Sequence, residues 1–355
     1  MSSSRRFAFP RSIVRVGLAA LAFAALAPGD GLRAAGPGGG RPAANRTPPT
    51  FNLGGVAYTD VRAQFALIGY KAVYDAAGGS LHLRGSDGNE VVFKVGSREA
   101  KLNGLRLFLG EPVLVHKGAP VAATIDLERF VLPILRPARI TRKPVRTIVL
   151  DAGHGGNDSG TRNQARKLNE KTFTLDVAKR LQTLLADGSW QVLMTRTDDR
   201  FVELADRAAF ANKAKADLFI SIHFNAVAAG SDVRGTETYV LTPQFQRSTS
   251  SAKTGPQDKV AYAGNRHDTR NAVLGYHMHR QLLSKLKSED RGYKRARFAV
   301  LRLVDCPGVL VEAGYLSNDA EAAKIANADY RGDIVEALYA AIQAYDASVG
   351  VPPGP

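Results

Sequence analysis

From Thr147 onward, short apolar runs alternate with amphipathic helical runs, and no other property of the sequence restricts the fold as much. Thr147–Leu150, Gln191–Met194, Leu218–Ile222, Thr236–Leu241, Phe298–Leu301 and Val309–Val311 read as strands. Residues 169–185, 203–215, 269–286 and 330–345 read as helices; in the first, Phe173, Val177, Leu181, Leu184 and Leu185 share a face. Strands alternating with helices predict an α/β fold, a doubly wound and mostly parallel sheet. Such sheets place ligands at the carboxyl ends of their strands, so the residues directly after each strand carry the functional argument.

The 355 residues suffice for two domains and a targeting segment. Residues 51–138 read as a smaller β-rich domain. Its runs at 71–74, 80–84, 90–95 and 119–122 are separated by turn pairs such as Asp87-Gly88 and Asn103-Gly104, the strongest short hairpin signals. Helical pieces are expected at 60–68 and 125–135. The α/β domain is expected over 144–347, with a tail at 348–355. Residues 36–50 form a Gly/Pro-rich linker. Residues 1–35 read as a signal peptide: Arg5, Arg6, Arg11 and Arg15 precede the apolar run Val16–Leu26, which is too short to span a bilayer. The expectation is an exported protein of the periplasm or cell envelope, without a stable membrane span once the signal is removed.

Apolar residues make up 45 % of the chain and charged ones 23 %, a balance that excludes disorder as the main state. The net charge of +15 calls for an acidic partner. The charge is spread along the chain, with neither a basic run nor an RNA-binding aromatic motif, so nucleic acid is not expected and an envelope polymer is. Cys306 is the lone cysteine and sits between Asp305 and Pro307 without an activating cation, which suits a packed residue better than a nucleophile.

Four residues stand where the sheet would present them. His154 follows the first strand in Asp151-Ala152-Gly153-His154-Gly155-Gly156, with glycines that let the chain turn and leave the imidazole open. His223 ends a second buried strand in Ser221-Ile222-His223-Phe224-Asn225, and Glu170 opens a helix whose dipole favours a carboxylate. Glu312 follows the apolar Val309-Leu310-Val311, where a charge without a partner is costly. Two histidines and a carboxylate that leave one position open are the pattern of a catalytic zinc centre, and a second glutamate beside it can move protons.

The blocks DAGHGG at 151–156, the Glu170 helix, Thr195-Arg196, SIHFNA at 221–226, GTETY at 235–239 and VLVEAGYLSN at 309–318 closely resemble those of the zinc-dependent N-acetylmuramoyl-L-alanine amidases. The resemblance covers about 200 residues, from Arg146 to Tyr345. It implies one Zn2+ held by His154, Glu170 and His223, Glu312 as the catalytic carboxylate, and peptidoglycan as substrate, cut between the lactyl group and L-alanine. Arg207 is expected to brace the fold. A zinc peptidase acting within the stem peptide and a non-catalytic peptidoglycan binder are the alternatives. Division members of that group carry an insertion, with a helix that blocks the zinc until an activator arrives. Here Thr242–Asp268 is polar and broken by Pro243, Gly255, Pro256 and Gly264, so it reads as a substrate-lining loop, and an envelope activator protein stays open as a partner. The β-rich segment resembles the copper-amine-oxidase N-terminal-like module through Tyr74-Asp75, Val91-Val92-Phe93, Gly96-Ser97, Asn103-Gly104 and Asp126-Leu127. No copper is inferred, because His82 and His116 fall in separate strands without paired ligands. An envelope-binding or spacer role is expected for it.

Overall fold

The computed structural model describes residues 47–349 apart from 142 and 228–231. The expected signal peptide, residues 36–46 of the linker and residues 350–355 of the tail lie outside the described residues. Among the described residues, no helix is long and apolar enough to cross a membrane.

The β-rich segment opens with a hairpin that sequence periodicity does not reveal, β1 (Thr50–Leu53) and β2 (Val56–Asp60). Helix α1 (Val61–Ala66) follows, capped by the Asp60 carboxylate at 3.1 Å from the Ala63 amide. A meander comes next: β3 (Lys71–Asp75), β4 (Ser80–Arg84), β5 (Glu90–Lys94), β6 (Glu99–Leu102) and β7 (Leu105–Phe108), each antiparallel to the one before. Its inward side chains alternate as a half-buried sheet requires; Leu81, Leu83, Val91 and Phe93 are fully buried. β8 (Leu114–His116) and β9 (Ala119–Ala123) pair back toward β2. A helical stretch follows, comprising α2 (Thr124–Asp126), a π-turn at Leu127–Val131 and α3 (Leu132–Leu135).

The second part contains β10 (Thr147–Ala152), the short hairpin β11 (Arg162–Asn163) and β12 (Leu168–Asn169), α4 (Glu170–Leu185), β13 (Gln191–Met194), α5 (Leu204–Lys213), β14 (Leu218–Asn225) and β15 (Thr236–Leu241). It continues through α6 (Asp268–Leu286), β16 (Asp290–Ala296), α7 (Ala299–Leu303), β17 (Gly308–Tyr315), α8 (Asp319–Ala326) and α9 (Ala328–Ser348). Strands β13, β10, β14 and β17 are neighbours in that order and mutually parallel; β15 then turns antiparallel to β17. Alternate residues of β10 face opposite sides. Ile148 and Leu150 join the core shared with α4, α6 and α9, while Val149 joins the core shared with α5 and α7. The sheet is therefore an α/β sheet covered on both faces, with one reversed pair.

The expected strand at Phe298–Leu301 is not one. Phe298 is extended (φ −59°, ψ 143°) and caps α7, whose Val300 and Leu301 pack beneath the sheet. A four-residue apolar run has too few positions to distinguish the two periods. Conversely, β16 was not anticipated, because Asp290-Arg291-Gly292-Tyr293-Lys294-Arg295-Ala296 is mostly polar.

That strand joins the two parts. β16 lies between β15 and β7, and Tyr293 is the Cα partner of Leu107, so a single sheet of eleven strands runs from β13 to β3. The described residues from Thr47 onward accordingly group as one compact unit. The seam is buried and charged. Arg295 Nη2 lies 2.5 Å from Asp126 Oδ1, and the Asp126 carboxylate also accepts from the Gly110 and Glu111 amides. Arg98 donates to the Ser248 and Ser251 carbonyls at 3.0 and 3.1 Å, and Arg247 pairs with Glu111 at 3.0 Å. Segment 242–268 therefore packs on the β-rich part.

Candidate metal centre

The loop after β10 holds His154 in a left-handed conformation (φ 60°), which costs a residue with a Cβ about 1–3 kcal/mol. Two arginines that are 0 and 2 % exposed keep it there. Arg196 donates to the carbonyls of Ala152 and Gly153, each at 2.9 Å, and Arg207 to those of Ala152 and His154, each at 2.8 Å. Arg207 also pairs with buried Asp151 at 2.9 Å, whose other oxygen accepts the Ser221 hydroxyl on β14. Arg207 is thus a brace, as its place in the sequence suggests.

His223 stands near the carboxyl end of β14, beside β10. A Cβ on Gly153 would come within 2.3 Å of its ring, so the two strand ends meet only because that residue is glycine. Glu170 is the first residue of α4 and is delivered by the β11–β12 hairpin. Its Oε1 lies 3.1 Å from His154 Nε2 and 2.9 Å from His223 Nδ1, and it accepts the Phe224 amide at 3.0 Å. Its Oε2 accepts the Thr161 amide at 2.8 Å. Gly160 (φ 63°) makes room for it, since a Cβ there would sit 2.6 Å from Glu170 Oε2 and from the His154 ring. One ligand atom from each of His154, Glu170 and His223 falls within 4.8 Å of the others.

The charges are matched. Burial alone would raise the Glu170 carboxyl, yet the hydrogen bonds from His154 and His223 outweigh it and hold the group below the usual carboxylate range. Burial works against a charged His154 too, but Glu170 and Asp158 hold its imidazole above the ordinary value. Asp158 Oδ2 lies 2.7 Å from His154 Nδ1, leaving Nε2 to face Glu170 and His223. A carboxylate behind a histidine in this manner orients it for a metal. Two imidazoles and a carboxylate, one imidazole so backed, form a donor set that suits zinc.

Glu312 lies on β17 as the Cα partner of His223, and it lines the same cavity of about 580 Å³. Its Oε2 is buried without a hydrogen-bond partner. Burial, then the nearby charges of Glu170 and Glu237, push its carboxyl well above the usual range, with Lys294 opposing. Across the antiparallel pair stands Glu237, which the sequence does not assign to a site. Its carboxylate is 2 % exposed and fully engaged: it accepts from Tyr239 (2.6 Å), Tyr315 (2.7 Å) and Asn225 (2.9 Å), and pairs with Lys294. Glu237 thus supports the wall behind Glu312 and is not part of the His154, Glu170 and His223 group that could hold a metal ion.

Segment 242–268 was expected to line the substrate path, but none of its residues lines this cavity. His267 faces Asp305 at 3.2 Å, and His279 contacts Thr238 and Asp290. Cys306 is buried, and its thiol is pushed up to about 12 by burial. The sequence gives Asp158 no role and leaves Glu237, in a strand of uncertain orientation, out of the metal site. The signal for Asp158 was available, four residues after His154 in the same glycine-rich loop; Glu237 shows none without the strand pairing.

Residues 148–344 match the family described as N-acetylmuramoyl-L-alanine amidase. An endolysin of Bacillus phage SPP1 is 37 % identical over 192 residues, 54 % of this chain and 62 % of that protein. The N-acetylmuramoyl-L-alanine amidase AmiC of Escherichia coli O6:H1 is 31 % identical over 246 residues, 62 % of this chain and 58 % of that protein. An uncharacterized Bacillus subtilis protein, YqiI, is 32 % identical over 213 residues, which make up 59 % of this chain and 91 % of YqiI. The chain thus spans about six-tenths of the first two relatives.

Proposed function

Given that the chain belongs to the N-acetylmuramoyl-L-alanine amidase family, we propose that it hydrolyses the amide between the lactyl group of N-acetylmuramic acid and L-alanine in peptidoglycan. In this reading His154, Glu170 and His223 hold one zinc ion and Glu312 moves the proton. The observation that carries it is the meeting of two imidazoles and a carboxylate within 4.8 Å, beside a carboxyl whose buried Oε2 has no other partner. A group with no structural bond to make is free to serve a reacting molecule.

When bound, zinc supplies a Lewis acid that polarises a carbonyl and makes water a better nucleophile near neutral pH. The residues do the rest. Asp158 and the Arg207 brace keep His154 Nε2 aimed at the cluster. Glu312 accepts a proton from water as the water oxygen bonds to the lactyl carbonyl carbon. It then gives that proton to the alanine nitrogen as the carbon–nitrogen bond breaks, and so returns to its starting state. Its raised affinity for protons makes Glu312 a stronger base in the first half, once the carboxyl is ionised. Positive charge brought into the cluster offsets the repulsion from Glu170 and favours the first half.

The reading also takes the protein to be exported to the periplasm or cell envelope, where the substrate lies. The net charge of +15 supports retention near anionic envelope polymers. The test is a digest of purified peptidoglycan with added zinc or with chelator, read by mass spectrometry. Free stem peptides that begin with L-alanine, absent in chelator, are expected. Shortened stems still attached to muramic acid would replace the proposal with a zinc peptidase. Binding without cleavage, in zinc and after addition of envelope extract as a source of activator, would leave a binder.

A further inference from the structure

Ten large apolar side chains are exposed among the described residues, and three of them, Phe201, Leu204 and Phe298, line the cavity of the metal cluster. They are 43, 56 and 39 % exposed, which puts them at its mouth. Between and below them Val202, Ala299, Val300 and Leu310 complete an apolar wall. The wall is continuous because α5 and α7 pack together on one face of the sheet, through Ala208, Ala211, Val300 and Leu301. Asp158 and Thr161, contributed to the cavity from the α4 side, are polar. The cleft is therefore apolar on one side and polar on the other.

The ledge is held in place. Ahead of Phe201, Asp199 accepts from Lys171 at 2.6 Å and from the Gly156 amide at 2.9 Å, and after it the Val202 carbonyl accepts from Arg207 at 3.0 Å. The Phe298 ring packs edge-on to Tyr239, with centroids 5.1 Å apart. Two phenyl rings and Leu204, left in water together at one cavity on a fixed backbone, make a rigid apolar surface that loses little entropy when covered.

We propose that Phe201 and Phe298 form a subsite for N-acetylated pyranose rings, so that the glycan strand lies along the α5–α7 ledge while the peptide faces the polar side. This inference rests on the amidase reading of the same cavity. A pyranose has a C–H face that suits a phenyl ring and a hydroxyl rim that needs acceptors. Exposed Glu203, between Val202 and Leu204 in the wall, supplies one. Continuity of the ledge with the cluster selects a substrate over a separate protein partner.

The test compares Phe201→Ala and Phe298→Ala with the unaltered full chain on muramoyl-peptides of one sugar and of four. KM on the four-sugar substrate is expected to rise about tenfold with kcat little changed, the rise growing with glycan length. Phe→Tyr at either position restores the original KM. An equal rise on both substrates, or a fall in kcat alone, overturns the proposal. Titration of the Glu312→Gln chain with a peptide-free tetramer of N-acetylglucosamine separates the ledge from the amidase reading. Saturable binding that Phe201→Ala abolishes supports the ledge even if no amide is ever cut. No binding at concentrations where the four-sugar muramoyl-peptide saturates overturns it, as does self-association of the chain that the same substitutions remove.

Discussion

At the seam between the β-rich segment and the α/β part, Asp126 and Arg295 are 0 and 1 % exposed, and their opposite charges are paired with each other. Both Asp126 oxygens are used, and Arg295 adds a 2.6 Å bond to Gln246 and lies 4.6 Å over the Phe130 ring, leaving only its Nε without an acceptor. At the cavity, Glu312 is placed near the charges of Glu170 and Glu237 and keeps a buried oxygen without a partner. The first arrangement pairs opposite charges and joins two layers of the fold. The second gathers the carboxyl groups of Glu170, Glu237 and Glu312 beside the sheet's inner strands. Buried charge is tolerated where it is paired. Where it is not, the surrounding fold must carry the repulsion, and that is expected of a reacting group.

The sharpest way to break this contrast is to remove one carboxyl from each place. Glu312→Ala should lower turnover by about 10²- to 10⁴-fold while leaving the melting temperature unchanged or higher. A loss of stability would mean that Glu312 is structural after all. Asp126→Ala should do the reverse. It leaves Arg295 buried without its carboxylate and should destabilise the fold by about 3–5 kcal/mol in a denaturant titration, with turnover per folded molecule retained. If turnover falls with stability intact, the seam serves the cavity directly.

A smaller effect is expected behind the cluster. Asp158→Ala removes the partner of His154 Nδ1 and should weaken zinc binding about 10- to 100-fold, measured by competition with a chromophoric chelator. The smallest concerns a buried group that belongs to neither cluster. His277 on α6 has a buried Nδ1 without a partner, and burial, then Arg280, lowers its pKa to about 4. The unfolded chain binds this proton below about pH 6.5, whereas the folded chain does not until about pH 4. Its contribution is a stability present above that window and lost as pH falls through it. His277→Phe should remove about 1–3 kcal/mol of that slope between pH 6.5 and 4. An unchanged slope would place the acid sensitivity elsewhere.

Much of the fold was legible because its signals are local. The periodic face of α4, the long helix α6, the hairpins around Asn103-Gly104 and Asp87-Gly88, and the apolar β10 and β14 all appear at or near their expected positions. The misses share a cause. The Phe298–Leu301 run is too short to show a period, and β16 is a strand only because its neighbours make it one. Its Arg295 reads as a surface residue until Asp126, 169 positions away, is brought against it.

The candidate site divides in the same way. The residue types and their places at strand and helix ends are local, so His154, Glu170, His223 and Glu312 could be read from the sequence as candidates. So could the family, because the motif blocks lie in order along the chain. Which atoms face one another is not local. It depends on β10, β14 and β17 lying side by side, on Gly153 admitting the His223 ring, and on β15 bringing Glu237 opposite Glu312. The joining of the β-rich segment into one eleven-stranded sheet was likewise decided by tertiary structure, because strand pairing is satisfied by whichever edge is presented and no residue encodes its distant partner alone.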